Sequence, residues 1–406
     1  MNDSGKIGLF PMGDDPLPPA NVIKYRDTGI VPYQGIRALV DEKIIDGLPR
    51  IEDDQLQPAS LDLRLGPRAY RVRASFLPGS GATVMDKVRQ LDGLPSIPLP
   101  AIAPREEGGV VFEKGAVYVV ELAESVRLVG DYVVFANPKS STGRLDVLTR
   151  LITDHATAFN RIEKGYKGPL YLEVIPLTFS IVVRQGTRLT QLRFQRGSTD
   201  ISSSEFQRLY ESGQLIKAGS DKKRLPLKDH LVPLTVNLLG KPGEIIGFRA
   251  KKNSSKIDLD KIDYYEPREF WEPIGASNGQ LGLDKDDFYI LATREEVGVP
   301  PQLAAEMVPF DPESGEFRVH YAGFFDPGFG WHGTGSSGTA CGSKAVLEVR
   351  SYGVSFLLEH GQTVAWLDYK QLATGQTDRR YGETIKSNYQ GQGVTLAKHF
   401  KQWTMI

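Results

Sequence analysis

An internal repeat constrains the fold of this 406-residue chain more than any other feature of its sequence. The segment 172–194 aligns without a gap with the segment 347–369. Both segments begin with Leu-Glu-Val, both keep the spacing Ser-x5-Gly, and both end on an aromatic residue. Self-similarity of this kind indicates two copies of one structural unit. We therefore predict two related domains, residues 26–200 and 226–406.

The hydrophobic pattern predicts that each copy is built mainly of β-strands. Residues 60–65 alternate strictly between polar and apolar side chains, as a half-buried strand does. The 42 glycines and 26 prolines are spread along the chain, which is typical of many short strands joined by turns. Helical patterns are few, at 35–45 and at 204–217. We predict a loosely packed arm at 1–25 and a helical linker at 201–225.

Composition excludes several classes of protein. Lysine and arginine number 49 against 50 acidic residues, a balance that argues against nucleic acid or an anionic membrane as the main partner. The single cysteine, Cys341, excludes a disulfide framework and a cysteine-rich zinc site. No apolar run approaches the ~20 residues of a membrane span, and the acidic start does not resemble a signal peptide. We expect a soluble, cytoplasmic protein.

A segment rich in hydroxyl groups follows the apolar strand predicted at 132–136. Residues 137–144 read Asn-Pro-Lys-Ser-Ser-Thr-Gly-Arg. Amides and hydroxyls in such a turn can surround an anion, and Lys139 and Arg144 would add charged hydrogen bonds to phosphate. The order of a Walker loop is absent. A solvated turn with a serine as helix cap explains the segment equally well.

A glutamate lies inside the apolar strand predicted after a turn at 165–169. Alternation places Tyr171 and Glu173 on one face of this strand. Such a carboxylate is either paired with a cation or partly desolvated with a raised pKa, and the second state suits a general base. Spacing alone leaves both readings open. Under the first reading, the candidate ion-pair partners are Arg144, Arg161 and Lys164.

These segments together resemble one family. Residues 139–146, 161–168 and 170–173 are similar to the dCTP deaminases of the dUTPase-like, or β-clip, superfamily, whose pattern is Arg-Ser-Ser-Leu-Ala-Arg-Leu-Gly, Arg-Ile-Asp-Pro-Gly-Trp-x-Gly and x-Leu-Glu-Phe. Residues 57–66 resemble the early strand of the family, and 381–393 its nucleotide-closing tail. The resemblance implies a mainly β fold: two tandem β-clip domains, each a distorted β-barrel, with a few short helices.

The resemblance also implies an activity, hydrolytic deamination of dCTP to dUTP and ammonia. Glu173 would activate the water that attacks C4, Ser140 would position this water, and Arg144 would stabilise the site. Mg²⁺ would be held by the substrate triphosphate rather than by the protein, and one cysteine cannot supply the ligands of a zinc deaminase. The substrate-binding residues implied are Lys139, Ser140, Ser141, Thr142, Gly143, Arg144, Glu163, Tyr171, Leu172, Tyr381 and Gln392.

Departures from the family pattern favour catalysis in the first copy. Lys139 stands where the family has arginine, so that a bidentate fork becomes a point charge, and Glu163 replaces an aspartate. In the second copy, residues 308–316 contain no basic residue and several carboxylates, which would repel a triphosphate. We therefore expect catalysis at Glu173, with Glu348 retained only as part of the duplicated fold. The second copy would lend its tail.

Two other activities remain open from the sequence. The first is a dUTPase, or a bifunctional enzyme that converts dCTP to dUMP. The resemblance favours deamination instead, because dUTPases typically use an aspartate to activate water at the α-phosphate, whereas this chain has Glu173 within Leu-Glu-Val. The second is a regulator that binds pyrimidine nucleotides without turnover. Family sites form where subunits or repeats meet, so we expect a homo-oligomer. The expected partners are dCTP and the inhibitor dTTP, with no nucleic acid and no membrane.

Overall fold

The computed structural model describes most of the chain between Thr28 and Thr404. The described residues are 28–101, 108–217, 227, 230–276, 278–309, 317–319, 323–332, 339–340, 342–382 and 393–404. The predicted arm at 1–25 and Cys341 lie outside these ranges. Among the described residues, no helix has both the length and the apolar character needed to cross a membrane.

The first half of the chain forms short, mostly antiparallel strands. They are β1 (Gly29–Ile30), β2 (Ile45–Gly47), β3 (Leu61–Leu63), β4 (Leu65–Val72), β5 (Ile97–Pro98), β6 (Val110–Phe112), β7 (Val117–Arg127), β8 (Tyr132–Pro138), β9 (Val147–Thr153), β10 (Arg161–Ile162), β11 (Lys167–Pro176), β12 (Ile181–Val183) and β13 (Thr190–Arg196). The helices are α1 (Tyr33–Asp41), a 3-10 turn (Asp53–Gln55), α2 (Val84–Gln90) and α3 (Ser140–Gly143).

The second half begins with helix α4 (Ser203–Glu211) and also contains α5 (Pro267–Phe270). Its strands are β14 (Leu231–Thr235), β15 (Ile245–Ala250), β16 (Ile257–Asp258), β17 (Trp271–Gly275), β18 (Gln280–Leu283), β19 (Phe288–Val297), β20 (Leu303–Pro309), β21 (Phe317–Val319), β22 (Phe324–Phe325), β23 (Trp331–His332), β24 (Thr339–Ala340), β25 (Ser343–Ser351), β26 (Phe356–Glu359) and β27 (Thr363–Gln371).

The two halves share their strand order. In the first, β13 pairs with β3 and β8, and β8 pairs with β10; the second has the path β14-β27-β20-β22. Likewise β4-β7-β11-β9 in the first half corresponds to β15-β19-β25-β21 in the second. The repeated segments lie in β11 to β13 and in β25 to β27. The fold is therefore mainly β with few short helices and two related halves, as predicted.

Both predicted helices form, but each ends earlier than its apolar pattern. Helix α1 stops at Asp41 because Lys43 adopts a left-handed backbone conformation with φ 55°. Helix α4 stops at Glu211, two residues before Gly213, which has φ 75°. The side chain of Ser202 caps α4 by accepting a hydrogen bond from the Glu205 amide at 3.3 Å.

The main hydrophobic cluster of the first half extends into the second half, which also has a large cluster of its own. The main cluster of the first half also contains Phe248, Trp271 and Phe288 from the second half, together with Leu396 and Phe400 near the C-terminus. Apolar burial is the dominant favourable contribution to packing, so we expect the halves to fold as one unit. A separate, smaller cluster lies under α2 on the outer face of the sheet that contains β11.

A buried arginine also links the halves. Arg193 on β13 is fully buried, and its guanidinium donates to the carbonyl of Ala305 at 3.0 Å and to the carboxylate of Asp326 at 3.1 Å. A buried charge is tolerated only with such partners, and removal of one partner is strongly destabilising. The relative position of the two halves is thus held by specific polar contacts as well as by the shared core.

Candidate active site

The segment 139–144 forms a single helical turn that is anchored to the neighbouring strand. The amides of Thr142 and Gly143 donate to the Lys139 carbonyl at 2.8 and 3.0 Å. The Thr142 hydroxyl donates to the Leu189 carbonyl at 2.9 Å, and the Lys139 amide donates to the same carbonyl at 3.0 Å. Because two of its residues donate to the same Leu189 carbonyl, the turn has a defined position next to β13.

The structure does not favour the reading of this segment as a serine-capped surface turn. The N-cap residue is Lys139, and no side-chain capping bond is present. Ser140 is exposed, whereas Ser141 and Arg144 are buried. The predicted anion-binding residues, Lys139 to Arg144, therefore lie in one turn. Within it the Ser140 hydroxyl is exposed to solvent and the Arg144 side chain is buried.

The carboxyl group that faces this loop comes from the second half of the chain. Glu348 on β25 is 5% exposed and lies directly against Gly143. A Cβ atom at position 143 would approach the Glu348 Oε2 atom to 2.8 Å, which is closer than real Cβ contacts. Only glycine allows the carboxyl group to reach this position. The loop and Glu348 thus form one composite site between the two halves.

Burial dominates the electrostatics of Glu348. Desolvation, with a smaller contribution from Asp146, raises the pKa of its carboxyl group to about 8, against the opposing effect of the Arg144 guanidinium. A carboxyl group that titrates near neutral pH can both accept and donate a proton during a reaction. Glu348 is therefore a desolvated carboxyl group with a raised pKa, the state that suits a general base.

A buried ion pair holds the end of the loop against the second half. The guanidinium of Arg350, two residues after Glu348, pairs with the carboxylate of Asp146, and Thr178 donates its hydroxyl to the same carboxylate at 2.6 Å. Arg350 also donates to the Thr178 hydroxyl at 2.8 Å. Since Asp146 lies just after Arg144, this cluster fixes the loop relative to Glu348.

Glu173 does not meet the loop. It is fully buried, and its Oε1 atom accepts from Arg150 Nε at 2.7 Å, while Arg150 also donates to Ser75 Oγ at 2.6 Å. The Arg150 guanidinium lies 3.9 Å from the ring centre of Phe159. Glu173 is thus paired with a cation, but this cation is Arg150 and none of the three candidates that the sequence suggested.

The two faces of β11 explain this separation. Leu172 packs in the main core with Leu145, which follows the loop. Tyr171 packs on the opposite face, in the small cluster under α2, as alternation places it with Glu173. Glu173 therefore points away from the loop of its own half. Of the two equivalent glutamates, Glu348 is the one that lies against Gly143 of the loop.

The other residues predicted in the first half to contact the nucleotide lie elsewhere. Glu163 forms an exposed ion pair with Arg161, at 2.7 Å. Leu172 is fully buried in the main core, and Tyr171 is 7% exposed in the small cluster. Its phenol has a strongly raised pKa because of burial. The structure does not bring these three side chains to the loop.

The predicted tail residues are described in part. The Tyr381 amide donates to the Pro327 carbonyl at 2.9 Å, and its ring packs on Phe329 at 5.6 Å. Gln392 lies outside the described residues. The chain is described again from Gly393, and this C-terminal segment, residues 393–404, reaches the loop, because Arg144 Nη1 donates to the Thr395 carbonyl at 3.0 Å.

The described residues offer no cluster of three or more histidine, cysteine or acidic side chains that could hold a metal ion. A metal that is bound through substrate phosphates does not need such a cluster. The expectation that the substrate triphosphate holds Mg²⁺ therefore stays a prediction.

The duplicated β fold, with a buried carboxyl group beside a basic, hydroxyl-rich loop, defines the class of dUTPase-like, or β-clip, proteins. The model of the 2'-deoxycytidine 5'-triphosphate deaminase N-terminal domain matches residues 27–198. The model of the C-terminal domain of the same family matches residues 202–400. The chain belongs to the dCTP deaminase family.

Individual relatives agree with this assignment. A crystal structure of 2'-deoxycytidine 5'-triphosphate deaminase from Agrobacterium tumefaciens is 48% identical, with a TM-score of 0.76 over 86% of this chain and 100% of that one. The dCTP deaminase of Halorubrum lacusprofundi is 31% identical over 35% of this chain and 64% of its own length. A "dCTP deaminase, dUMP-forming" of Methanosphaera stadtmanae is 28% identical over 41% of this chain and 78% of its own length.

The sequence predicts that the second half contributes its tail to the site, but it does not indicate that Glu348 lies against the loop. The repeat already placed Glu348 at the position equivalent to Glu173, and Arg350 follows it on the same strand face. The pattern contained no signal for which of the two glutamates meets the loop. That choice depends on how the halves pack, which is decided by contacts far apart in the sequence.

Proposed function

We propose that this chain deaminates dCTP to dUTP and ammonia at the composite site formed by the loop 139–144 and Glu348. Family membership and the Agrobacterium structure support the reaction. The observation that supports the location is the carboxyl group of Glu348, buried against Gly143 and beside Arg144. In this proposal Glu173 has a structural role, as the partner of Arg150.

Glu348 is the proton-transfer group in this proposal. In its ionised form it accepts a proton from water as the water oxygen bonds to C4 of cytosine. The same carboxyl group then gives a proton to the amino group on C4, so that the C–N bond breaks and ammonia leaves while the C4 carbonyl forms. A pKa of about 8 suits both transfers, because it lies close to the working pH.

The loop supplies the remaining functions. Ser140 is exposed beside the site and would position the water. Arg144, next to Glu348, would stabilise charge during the reaction. Lys139 and Ser141 would bind phosphate oxygens. When Mg²⁺ is bound to the triphosphate it neutralises phosphate charge, and no step of the deamination depends on it here.

A second candidate is the bifunctional reaction from dCTP to dUMP. It is favoured by the resemblance to the Methanosphaera relative, whose name states that it is dUMP-forming. The products distinguish the two: dUTP and ammonia for the simple deaminase, or dUMP, pyrophosphate and ammonia for the bifunctional enzyme. Binding of dCTP without any product would support the non-catalytic regulator.

The remaining expectations stay predictions. These are assembly into a homo-oligomer, inhibition by dTTP, a cytoplasmic location and the lack of a nucleic-acid partner. Sedimentation of the purified protein with and without dTTP tests the first, and ammonia release at increasing dTTP tests the second.

The experiment that tests the site compares two isosteric variants, Glu348→Gln and Glu173→Gln, in ammonia release from dCTP with Mg²⁺. We expect Glu348→Gln to lose at least 100-fold in kcat, the range for loss of a general acid–base group. Glu173→Gln should keep kcat if it folds. The opposite pattern would return catalysis to the first half and overturn the proposal.

A further inference from the structure

Glu348 has a buried arginine close to it on its own strand. Glu348 and Arg350 are two residues apart on β25, so alternation places both side chains on one face, with their Cα atoms about 7 Å apart. Leu347 and Val349 pack on the other face, in the hydrophobic cluster of the second half. Glu348 is 5% exposed and Arg350 is 7% exposed. Buried charges are normally paired, so this spacing alone would favour a direct ion pair between the two.

Arg350 pairs instead with a carboxylate of the first half. Its guanidinium forms the ion pair with Asp146 and also donates to the Thr178 hydroxyl at 2.8 Å. On the other side it donates to the Asp286 carbonyl. Among the residues that the structure describes, none forms an ion pair with Glu348. The guanidinium is thus bound away from the carboxyl group on its own strand face.

Asp146 has a fixed position at the end of the loop. It is fully buried, its amide donates to the Gly143 carbonyl at 2.8 Å, and its carbonyl accepts from the Leu177 amide at 2.9 Å. The Thr178 hydroxyl donates to its carboxylate at 2.6 Å. Because both its backbone and its carboxylate are held, Asp146 directs the Arg350 guanidinium toward the first half.

The equivalent glutamate of the first half has the opposite arrangement. In the repeat, Glu173 aligns with Glu348, and Ile175 aligns with Arg350. The Glu173 carboxylate accepts directly from Arg150 at 2.7 Å. A cation in direct contact favours the charged form of a carboxyl group. The same contact at Glu348 would make it a weaker proton donor in the second transfer.

We propose that Asp146 is a positioning residue, which binds Arg350 and so keeps this guanidinium away from the Glu348 carboxyl group. The inference rests on the proposed function, because it concerns how Glu348 can both accept and donate a proton. The charged groups of the described chain that bear on Glu348 are Arg144 and Asp146 from the first half and Arg350 from its own strand. Its partner on β19 is the uncharged Ile290.

The test measures the pH midpoint at which kcat/KM for dCTP rises, in wild type, Asp146→Asn and Arg350→Met. Asparagine keeps the hydrogen bonds of Asp146 without its charge, so Arg350 can turn to Glu348. We expect the midpoint of Asp146→Asn to fall by about one to three pH units, the effect of an adjacent opposite charge. In Arg350→Met it should rise, because the Asp146 charge is then uncompensated. Arg350→Lys, which keeps the charge, should retain the wild-type midpoint.

The double variant Asp146→Asn/Arg350→Met separates this proposal from a simple loss of the Asp146 charge. It leaves neither partner buried without the other, and so also serves if Arg350→Met does not fold. Its midpoint should lie above that of Asp146→Asn, because no arginine is left at position 350 to pair with Glu348. Equal midpoints in the double variant and in Asp146→Asn would overturn the proposal.

A buried ion pair elsewhere in the first half provides the control. Glu124 is a fully buried carboxylate, and its partners are Arg64 at 2.8 Å and Gln55 at 2.9 Å. Glu124→Gln should keep the wild-type midpoint. A structural role alone would lower stability in the Asp146 and Arg350 variants without moving their midpoints in opposite directions.

Failure of this inference differs from failure of the proposed function. Wild type that releases no ammonia from dCTP contradicts the function itself. Active wild type together with one common midpoint in wild type, Asp146→Asn and Arg350→Met overturns only the role of Asp146.

Discussion

Substitution of Gly143 by alanine tests the composite site with the smallest chemical change. The new Cβ atom would lie 2.8 Å from Oε2 of Glu348 and 2.9 Å from its Cδ atom. To reach an ordinary contact of 3.4 Å, the carboxyl group must move by about 0.6 Å. A displacement of about 1 Å in an active site costs on the order of a hundredfold in rate. We therefore expect kcat to fall by about tenfold to a hundredfold.

The backbone itself should accept this substitution. Gly143 lies in the helical turn α3 and does not have a positive φ, so alanine is compatible with its conformation. The assay is ammonia release from dCTP, accompanied by urea unfolding to show that the variant is folded. Gly282→Ala is the control, because a Cβ atom there meets nothing within 4 Å. Full activity in Gly143→Ala would refute the reasoning that Glu348 acts against this loop.

Two further predictions concern Glu348 and the ion pair behind it. The kcat/KM for dCTP should rise with pH and level off above about 8, because water activation needs the ionised carboxyl group; a profile that is flat between pH 6 and 9 would contradict this. The raised pKa of Glu348 also contributes to stability: the contribution is complete below pH 4.5, the pKa in the unfolded chain, and is lost as the pH rises to about 8. The free energy of unfolding of the wild type should therefore be lower at pH 8 than at pH 5, and Glu348→Gln should reduce this difference. Arg350→Met should lower the free energy of unfolding in urea by about 3–5 kcal/mol, because it leaves Asp146 buried without its cation. An unchanged urea midpoint would show that this pair contributes nothing.

Much of the architecture could be predicted from local patterns. The repeat between 172–194 and 347–369 predicted two related halves, and the strand order is the same in both. Strict alternation correctly placed Tyr171 on the face opposite Leu172. These features depend on residues close in sequence, where periodicity of two maps directly onto the faces of a strand.

The pairing of the site residues could not be predicted in the same way. The loop 139–144 and Glu348 are more than 200 residues apart, and their contact depends on the packing of one half on the other. The family motif predicts Glu173 as the partner of the loop, because the second copy has no basic loop of its own. The strand of Glu173 turns it toward Arg150 instead. The repeat made Glu173 and Glu348 equivalent in pattern, and only tertiary structure distinguishes them.

Glu173 and Glu348 have different surroundings because different parts of the protein cover the strand faces on which they lie. In the first half, α2 and its small cluster cover the face that contains Tyr171 and Glu173. In the second half, the equivalent face packs on the first half, as shown by Phe288 and Ile290 in the shared core. Only Glu348 is therefore placed at an interface between the halves, next to the loop.

The most direct test of catalysis by Glu348 compares the turnover of Glu348→Gln and Glu173→Gln, each shown to be folded, with ammonia and the nucleotide product followed together. If Glu348 transfers the protons, Glu348→Gln loses at least 100-fold in kcat and Glu173→Gln releases ammonia at nearly the wild-type rate. A Glu348→Gln protein that still deaminates dCTP at the wild-type rate, with an inactive but folded Glu173→Gln, would contradict it.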